Sequence, residues 1–459
     1  VATLIVGAGL AGLAAALELH ERSEEFVLVE RADRVGGVVA SASQDGFLLE
    51  RGPRTVAGNA PTLSALIEAA ELTGSVLRSN AAAQRRYIWS RGQLHCVPHS
   101  PGEFLTSGLL SFAGRLRILA EPFIGRGGHS GETIAEFVTR RFGAEAATRL
   151  ADPMCAGVFG GLPTRLGIDA FARAAQLEQE HGSVLRGMAA SARQRRQQGE
   201  PMHTLLSFRG GLQQLTDALG ERFSTQLRLG TSVSSLRREG AGFVASLDGP
   251  EGASSLDAQQ VILAVPAGAA AALLSDLAPQ AAATLSAIRH VPIAVVALGF
   301  ARDSVAHPLD GFGLLCCSDS PVPEERPVLG VLFSSSMFEG RAPAGSVLLE
   351  VMIGGDRDPG ALDGSDEDLL ARARDACDAL LGASGSPSFH AITRWPPVLP
   401  QYQPGHAERI SDLESTVAAI GPIALAGNYL RGVGVEGAAA SGAAAARHLL
   451  AQSSKPSVS

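Results

Sequence analysis

Gly7, Gly9 and Gly12 stand at G-x-G-x-x-G spacing near the start of the chain, and Glu30 closes an apolar run downstream. This set is suited to holding a dinucleotide. The first glycine allows a tight turn, the second lets backbone approach a pyrophosphate, and the third lets a helix pack closely on a strand. A helix N-terminus behind such a turn offers unpaired N–H groups and the positive end of its dipole to the phosphates. Glu30 falls where a carboxylate grips ribose hydroxyls. Arg34, Gly36 and Gly37 come directly after the second apolar run. A glycine pair there suits a cofactor whose pyrophosphate is wrapped from both sides, whereas the alternative reading is a plain loop.

The glycine pair resembles the FAD-binding amine oxidase and desaturase superfamily more than the NAD dehydrogenases. A second glycine-rich loop, Gly427-Asn428-Tyr429-Leu430-Arg431-Gly432-Val433-Gly434, lies near the other end of the chain and runs into a helix. Its N–H groups and the helix start would make a positive pocket. Aimed at the pyrimidine edge of a flavin, such a pocket stabilises the reduced state and favours hydride acceptance. A tight strand-to-helix turn is the plainer reading. Arg54 and Arg86 are charges near core elements. Each could clamp a substrate carboxylate with a forked hydrogen-bond pair, and Arg54 could equally pair with an acidic neighbour. No G-x-S-x-G and no Cys/His pairing suggests a protein nucleophile.

The elements that must position these residues follow from apolar spacing. Thr3–Val6, Phe26–Val29, Gln260–Val265 and Pro422–Ala426 read as buried parallel strands, with a helix from Leu10. Asn59 is expected to cap a helix beginning near Pro61, with Leu63, Leu66, Ile67 and Ala70 on one face, and Gly74 to end it. Arg86–Trp89 and Leu94–Val97 flank an Arg91-Gly92 turn and read as a hairpin. Between Pro98 and Gly199 helical patterns take over: 104–110, 115–123, 134–142, 146–154 and 170–198. Phe208–Leu212 opens another helix, and strands are expected at 227–229, 232–236 and 243–247. Pro292–Phe300, Val328–Phe333, Ser346–Ile353 and Phe389–Arg394 fit a second, mixed sheet, with a helix at Asp366–Leu381. Val435–Leu450 is a final alanine-rich helix.

The fold class is therefore α/β, with a discontinuous Rossmann-like FAD-binding domain at residues 1–84, 203–275 and 421–452. A mixed-sheet substrate-binding domain takes 85–97 and 276–420, a largely helical insert 98–202, and a disordered tail 453–459. In the insert, Leu105, Leu109, Leu110, Phe112, Leu116, Leu119, Phe123 and Ile124 interleave with Arg115, Arg117 and Arg126. That face suits a membrane surface or packing on its own domain.

With 459 residues the chain can bury a large core, and its net charge of −8 argues against general nucleic-acid binding. The five cysteines form no C-x-x-C pair, so neither a metal site nor a disulfide framework is expected. No secretory signal precedes the first strand, and no apolar run is long enough to span a bilayer. The expectation is a cytoplasmic protein, or one peripheral on the inner face of the cell membrane.

Taken together, the motifs resemble the oxygen-dependent protoporphyrinogen oxidase family over nearly the whole chain. The most specific piece is Trp395-Pro396 through Pro400-Gln401-Tyr402 to Gly405-His406. Glu50–Pro53, Gly210-Gly211, Ala156–Gly161, Gly311–Gly313, Ser334–Phe338 with Arg341–Pro343, and Gly432–Gly434 complete the set. The resemblance implies non-covalent FAD, held by Gly7, Gly9, Gly12, Glu30, Arg34, Gly36, Gly37, Gly52, Pro53, Val233, Trp395, Tyr402, Asn428, Gly432, Val433 and Gly434. It implies that Arg86 binds a propionate, Phe338 stacks on a pyrrole ring, Leu315 packs from the other side, and Gly157 lies over the substrate, with Arg54 as a further candidate.

The implied reaction moves hydride from a porphyrinogen bridging carbon to the flavin, with molecular oxygen as final acceptor and hydrogen peroxide as product. The implied partners are a porphyrinogen, oxygen, a peripheral membrane contact, ferrochelatase for hand-over, and a second copy in a homodimer. Coproporphyrinogen III is the rival substrate; another flavin oxidase or desaturase activity, and a non-catalytic FAD-binding role, are the more distant readings. Two positions depart from the family pattern: Gly437-Ala438 stand where an Asp-Cys pair is usual, and Leu162 replaces an acid.

Overall fold

A computed structural model describes residues 1–197 and 205–453. Five parallel strands form the sheet that carries the glycine turn, in the order 227–228, 26–29, 3–6, 260–263, 423–425. The helix Leu10–Glu21 connects the first two strands, as parallel pairing demands. Ile5, Leu28, Ile262 and Ala424 point to one face, where the helices Leu10–Glu21, Pro61–Ala69, Gln213–Arg222 and Val435–Ser453 pack. Leu4, Val6, Val27, Leu263 and Leu425 point to the other. There they meet a three-stranded antiparallel sheet (232–239, 242–249, 252–258) and the helices 267–274 and 406–418. Burial on both faces explains why these strands are apolar without alternation. The first and last helices lie in close contact because Gly442 has no side chain: a methyl there would fall 1.8 Å from the Ala11 carbonyl oxygen.

A seven-stranded mixed sheet runs in the order 389–400, 290–301, 346–354, 330–333, 313–316, 87–90, 93–96. Only the pair 87–90 and 313–316 is parallel. The capped helix Asp366–Leu381 covers one face, burying Leu369, Ala373, Cys377 and Leu380 against Val296, Leu349 and Val351. By alternation the opposite face carries Leu315, Gly330, Glu350 and Met352. The Ser41–Glu50 hairpin bridges the two sheets, with Phe47 stacked on Phe389 at 4.6 Å.

The expected hairpin is present, and Arg91 and Gly92 take positive φ at its turn. Several expectations are corrected. Ala60, not Asn59, is the N-cap of the helix at Pro61, and that helix stops at Ala69 rather than Gly74. The stretch read as 170–198 is two helices, Ala172–His181 and Val184–Gln197, parted at Gly182 in a left-handed conformation. Strands 205–208 and 252–258 and the helices 267–274, 279–286 and 406–418 have no counterpart in the sequence reading. The strand expected to end at Arg394 runs to Pro400, and Pro396 and Pro397 are accommodated because it is an edge strand. The last helix extends to Ser453, and the rest of the expected tail lies outside the described residues.

The insert is helical, and buried ion pairs lie among its apolar clusters. Arg141 is fully buried and pairs with Glu121 and Glu178, while Arg140 holds Glu132 and Glu178. Phe112, Leu116, Leu119 and Phe123 are exposed on its surface, Phe123 at 85%. Among the described residues no helix is long and apolar enough to cross a membrane.

Candidate active site

The strand Thr3–Val6 ends at Gly7, whose φ of +100° and proximity to the Ala264 carbonyl exclude a side chain. Gly12 sits against the Gly7 carbonyl oxygen, where a methyl would come within 1.8 Å. Gly9 differs: it is the N-cap of the first helix, and no atom lies within 4 Å of where its Cβ would be. The Gly36 N–H donates to the Ala8 carbonyl at 2.8 Å, and Gly36 bridges to Gly9, so the second glycine pair lies on the first turn. The result is an open cradle at a helix N-terminus.

Glu30 closes this cradle. Its carboxylate accepts from the Ala8 N–H at 2.8 Å and the Ala32 N–H at 3.0 Å. Its carbonyl accepts from Thr231 N–H, which brings Val233, two residues on, to the same end of the sheet. Arg34 turns back on its own loop and donates to the carbonyls of Val35, Gly37 and Val39 at 2.6–3.0 Å. It therefore holds the shape of the glycine pair. Gly52 packs on the Val38 carbonyl, where a methyl would sit at 1.8 Å, and Pro53 follows it.

The C-terminal loop is fixed from the Gln401–His406 segment. Tyr402 stacks on His406 at 4.1 Å and donates to the Asn428 carbonyl, while His406 Nε2 faces the Tyr429 and Leu430 carbonyls. Burial pushes the His406 pKa below its ordinary value, against the opposing pull of the Leu430 and Tyr429 carbonyls. Val433 packs on Cys155 and Phe159 of the insert. Gly434 has open space at its Cα, like Gly9. Trp395 Nε1–H donates to the Arg51 carbonyl at 2.6 Å, tying the edge strand to the segment before Gly52.

On the substrate side, Arg86 precedes the strand 87–90, which runs beside 313–316. Its guanidinium lies over the Phe312 ring at 5.4 Å and, among the described residues, donates to the Gln84 carbonyl alone, at 3.4 Å. Phe312 packs on the cluster containing Phe338 and Leu332. Phe338 itself is buried, with the Arg341 guanidinium over its ring. Gly157, in the helix Asp152–Phe159, touches Leu315: a methyl there would fall 2.7 Å from Leu315 Cδ2. Gly157, expected over the substrate, thus lies directly against Leu315. Arg54 pairs with buried Glu350 through Nε at 3.0 Å, as its alternative reading held, but its buried Nη2 has no partner.

Sequence reasoning did not single out Glu350, Arg341 or Glu50 as one group. Glu50 accepts from Ser41 Oγ at 2.6 Å and Leu212 N–H at 2.9 Å, with Arg341 3.3 Å away. A signal existed for Glu350, the single charge in the apolar run Val347–Ile353.

A parallel sheet with a double-glycine cradle is thus joined to a mixed sheet, beside which Arg86 has no carboxylate partner among the described residues. The chain belongs to the flavin containing amine oxidoreductase family, whose model matches residues 10–450. Its cofactor is FAD, and the open cradles at Gly9 and Gly434 fit such a group. The chain is 30% identical over 467 residues to protoporphyrinogen oxidase 1, chloroplastic, of Arabidopsis thaliana, covering 95% of this chain and 86% of that one. It is 32% identical over 476 residues to the coproporphyrinogen III oxidase of Propionibacterium freudenreichii subsp. freudenreichii, covering 94% and 87%. Among solved structures, an Exiguobacterium sp. 255-15 protein described provisionally as a protoporphyrinogen oxidase superposes with a TM-score of 0.82 at 24% identity, covering 98% of each chain.

Proposed function

We propose that this oxidoreductase converts protoporphyrinogen IX to protoporphyrin IX, with molecular oxygen as acceptor and hydrogen peroxide as product. The observation that carries this reading is Arg86, an arginine with no carboxylate partner among the described residues, next to the strand pair that bears Leu315. A porphyrinogen is an apolar disc with charge at its propionate edge, so an apolar wall beside a fixed cation matches it. FAD, when bound, supplies the hydride acceptor. Gly7, Gly9, Gly12, Gly36 and Gly37 would hold its pyrophosphate, Glu30 its ribose, and Gly432–Gly434 its ring edge. Arg86 would orient the propionate, and the wall formed by Leu315 and Gly157 would exclude water. The exposed Phe112 and Phe123 support peripheral contact with a lipid surface.

Coproporphyrinogen III, with four propionates, asks for more free cations. Arg85 is committed to Asp310 and Arg54 to Glu350, which favours the substrate with two propionates. The test is oxygen uptake with porphyrin fluorescence on both porphyrinogens. Faster turnover of coproporphyrinogen would reverse the assignment, and yellow protein inert toward both would leave only FAD binding.

A further inference from the structure

We infer that Arg357 is a positioning residue: it sets how closely the helix Asp152–Phe159 is pressed onto the strand carrying Leu315, and so shapes the wall beside Arg86. This rests on the porphyrinogen reading above.

The side chain of Arg357 is buried and forked between two targets. Nη2 donates to Asp152 Oδ2 at 2.8 Å, at the start of the helix. Nη1 donates to the Cys316 carbonyl at 2.6 Å, one residue beyond Leu315. Asp152 Oδ2 also accepts from the Ser318 N–H at 2.8 Å, so the helix start is drawn to this strand twice. The neighbouring Asp356 acts at the far end. Its N–H donates to the Gly160 carbonyl at 2.6 Å, and its carboxylate holds Arg165 and Arg289. Gly355 allows this approach, since a methyl there would sit 2.3 Å from the Gly160 oxygen. Residues 355–357 therefore hold both ends of the helix, and the contact between Gly157 and Leu315 lies between the two anchors. The helix is entered through a π-helical turn at Ala147–Ala151. Such turns tolerate local adjustment and recur at functional sites.

A buried ion pair is seldom the most stable filling for a core site. What this one adds is direction. A planar guanidinium can bridge a carboxylate and a carbonyl on two elements at fixed separation, which an ammonium on a flexible stem does not reproduce.

The experiment uses FAD-loaded enzyme, wild type against Arg357→Lys and Asp152→Asn. Asp152→Asn keeps the shape and an acceptor for both donors, and carries the test if the lysine variant does not fold. Backbone hydrogen exchange is followed for residues 152–160, with the helix Leu10–Glu21 as internal reference. The expected result is exchange at least about fivefold faster in the first segment alone, full flavin content, and a KM for protoporphyrinogen raised at least about fivefold with kcat changed less than twofold. Unchanged exchange at 152–160, or faster exchange with unchanged KM in the flavin-loaded fraction, overturns the inference. Wild type inert toward both porphyrinogens would sink the proposed function instead. Protoporphyrin affinity, read by fluorescence quenching, would then replace KM, and an affinity equal in wild type and variants, or absent from wild type, would overturn the inference as well.

Discussion

Glu436 caps the helix that begins at Pro61: its carboxylate accepts from the N–H groups of Thr62 and Leu63, both at 3.0 Å. The helix's own N-cap, Ala60, has no side-chain acceptor, so the last helix supplies what the local sequence lacks. Because Glu436 lies two residues beyond Gly434, this bond also anchors the end of the loop Gly432–Gly434. Glu436→Ala should cost about 1 kcal/mol, the usual price of a lost cap, and weaken FAD retention. A urea denaturation midpoint equal to wild type would contradict this.

That relationship also shows where sequence reading stops. The glycine turns, the parallel strands and the helix Asp366–Leu381 follow local rules of spacing and capping, so they were legible from residue order alone. Ala60 and Glu436 are far apart in the chain, and no local rule links them. The same holds for Arg54 with Glu350 and Arg357 with Asp152, where the partner is set by sheet order. Gly437 is a related case. The resemblance leads one to expect an acid there, and a methyl at Gly437 would lie 2.2 Å from the Gly432 oxygen; the tight loop around Gly432, at φ +97°, accounts for the glycine.

Glu50 carries a pH dependence. Burial pushes its carboxyl up to about 7, against the opposing pull of Ser41, Arg341 and the Leu212 N–H. Unfolded, it titrates near the ordinary value of 4.5. Since the folded-state value is the higher one, its contribution to stability is full below pH 4.5 and is lost as pH rises through 7. The span of about 2.5 units corresponds to an upper bound of roughly 3 kcal/mol. Glu50→Gln should therefore gain on wild type in melting temperature between pH 5 and pH 8. A difference independent of pH would show that Glu50 is not the titrating group.

Glu30 is tested through the cofactor. Its two backbone acceptor bonds place the carboxylate at the cradle, and a charge-assisted bond lost there costs roughly 1.5–3 kcal/mol. Glu30→Ala should weaken FAD retention by about one to two decades. The readout is free FAD released by acid from purified protein, together with the affinity of reloaded apoprotein. Flavin left on the precipitate would contradict non-covalent binding, and unchanged affinity would remove Glu30 from the site.

On the proposed reading, Arg86 orients the substrate. Its guanidinium rests on the Phe312 ring at 5.4 Å, with no carboxylate partner among the described residues. Arg85, one residue earlier, is committed to Asp310, and Arg54 gives its Nε to Glu350. A planar fork over an aromatic ring holds a carboxylate in one orientation, which a lysine point charge does not. Orientation sets whether the bridging carbon is placed for hydride transfer. A charge-assisted pair of about 1.5–3 kcal/mol corresponds to a KM raised by roughly one to two decades in Arg86→Ala. Turnover should fall less, FAD content should not change, and Arg86→Lys should recover part of the loss. Steady-state kinetics on both variants, with flavin absorbance as the folding control, makes the measurement. Wild-type kinetics in Arg86→Ala would transfer the carboxylate to another arginine, with Arg54 the first to test through its unpartnered Nη2.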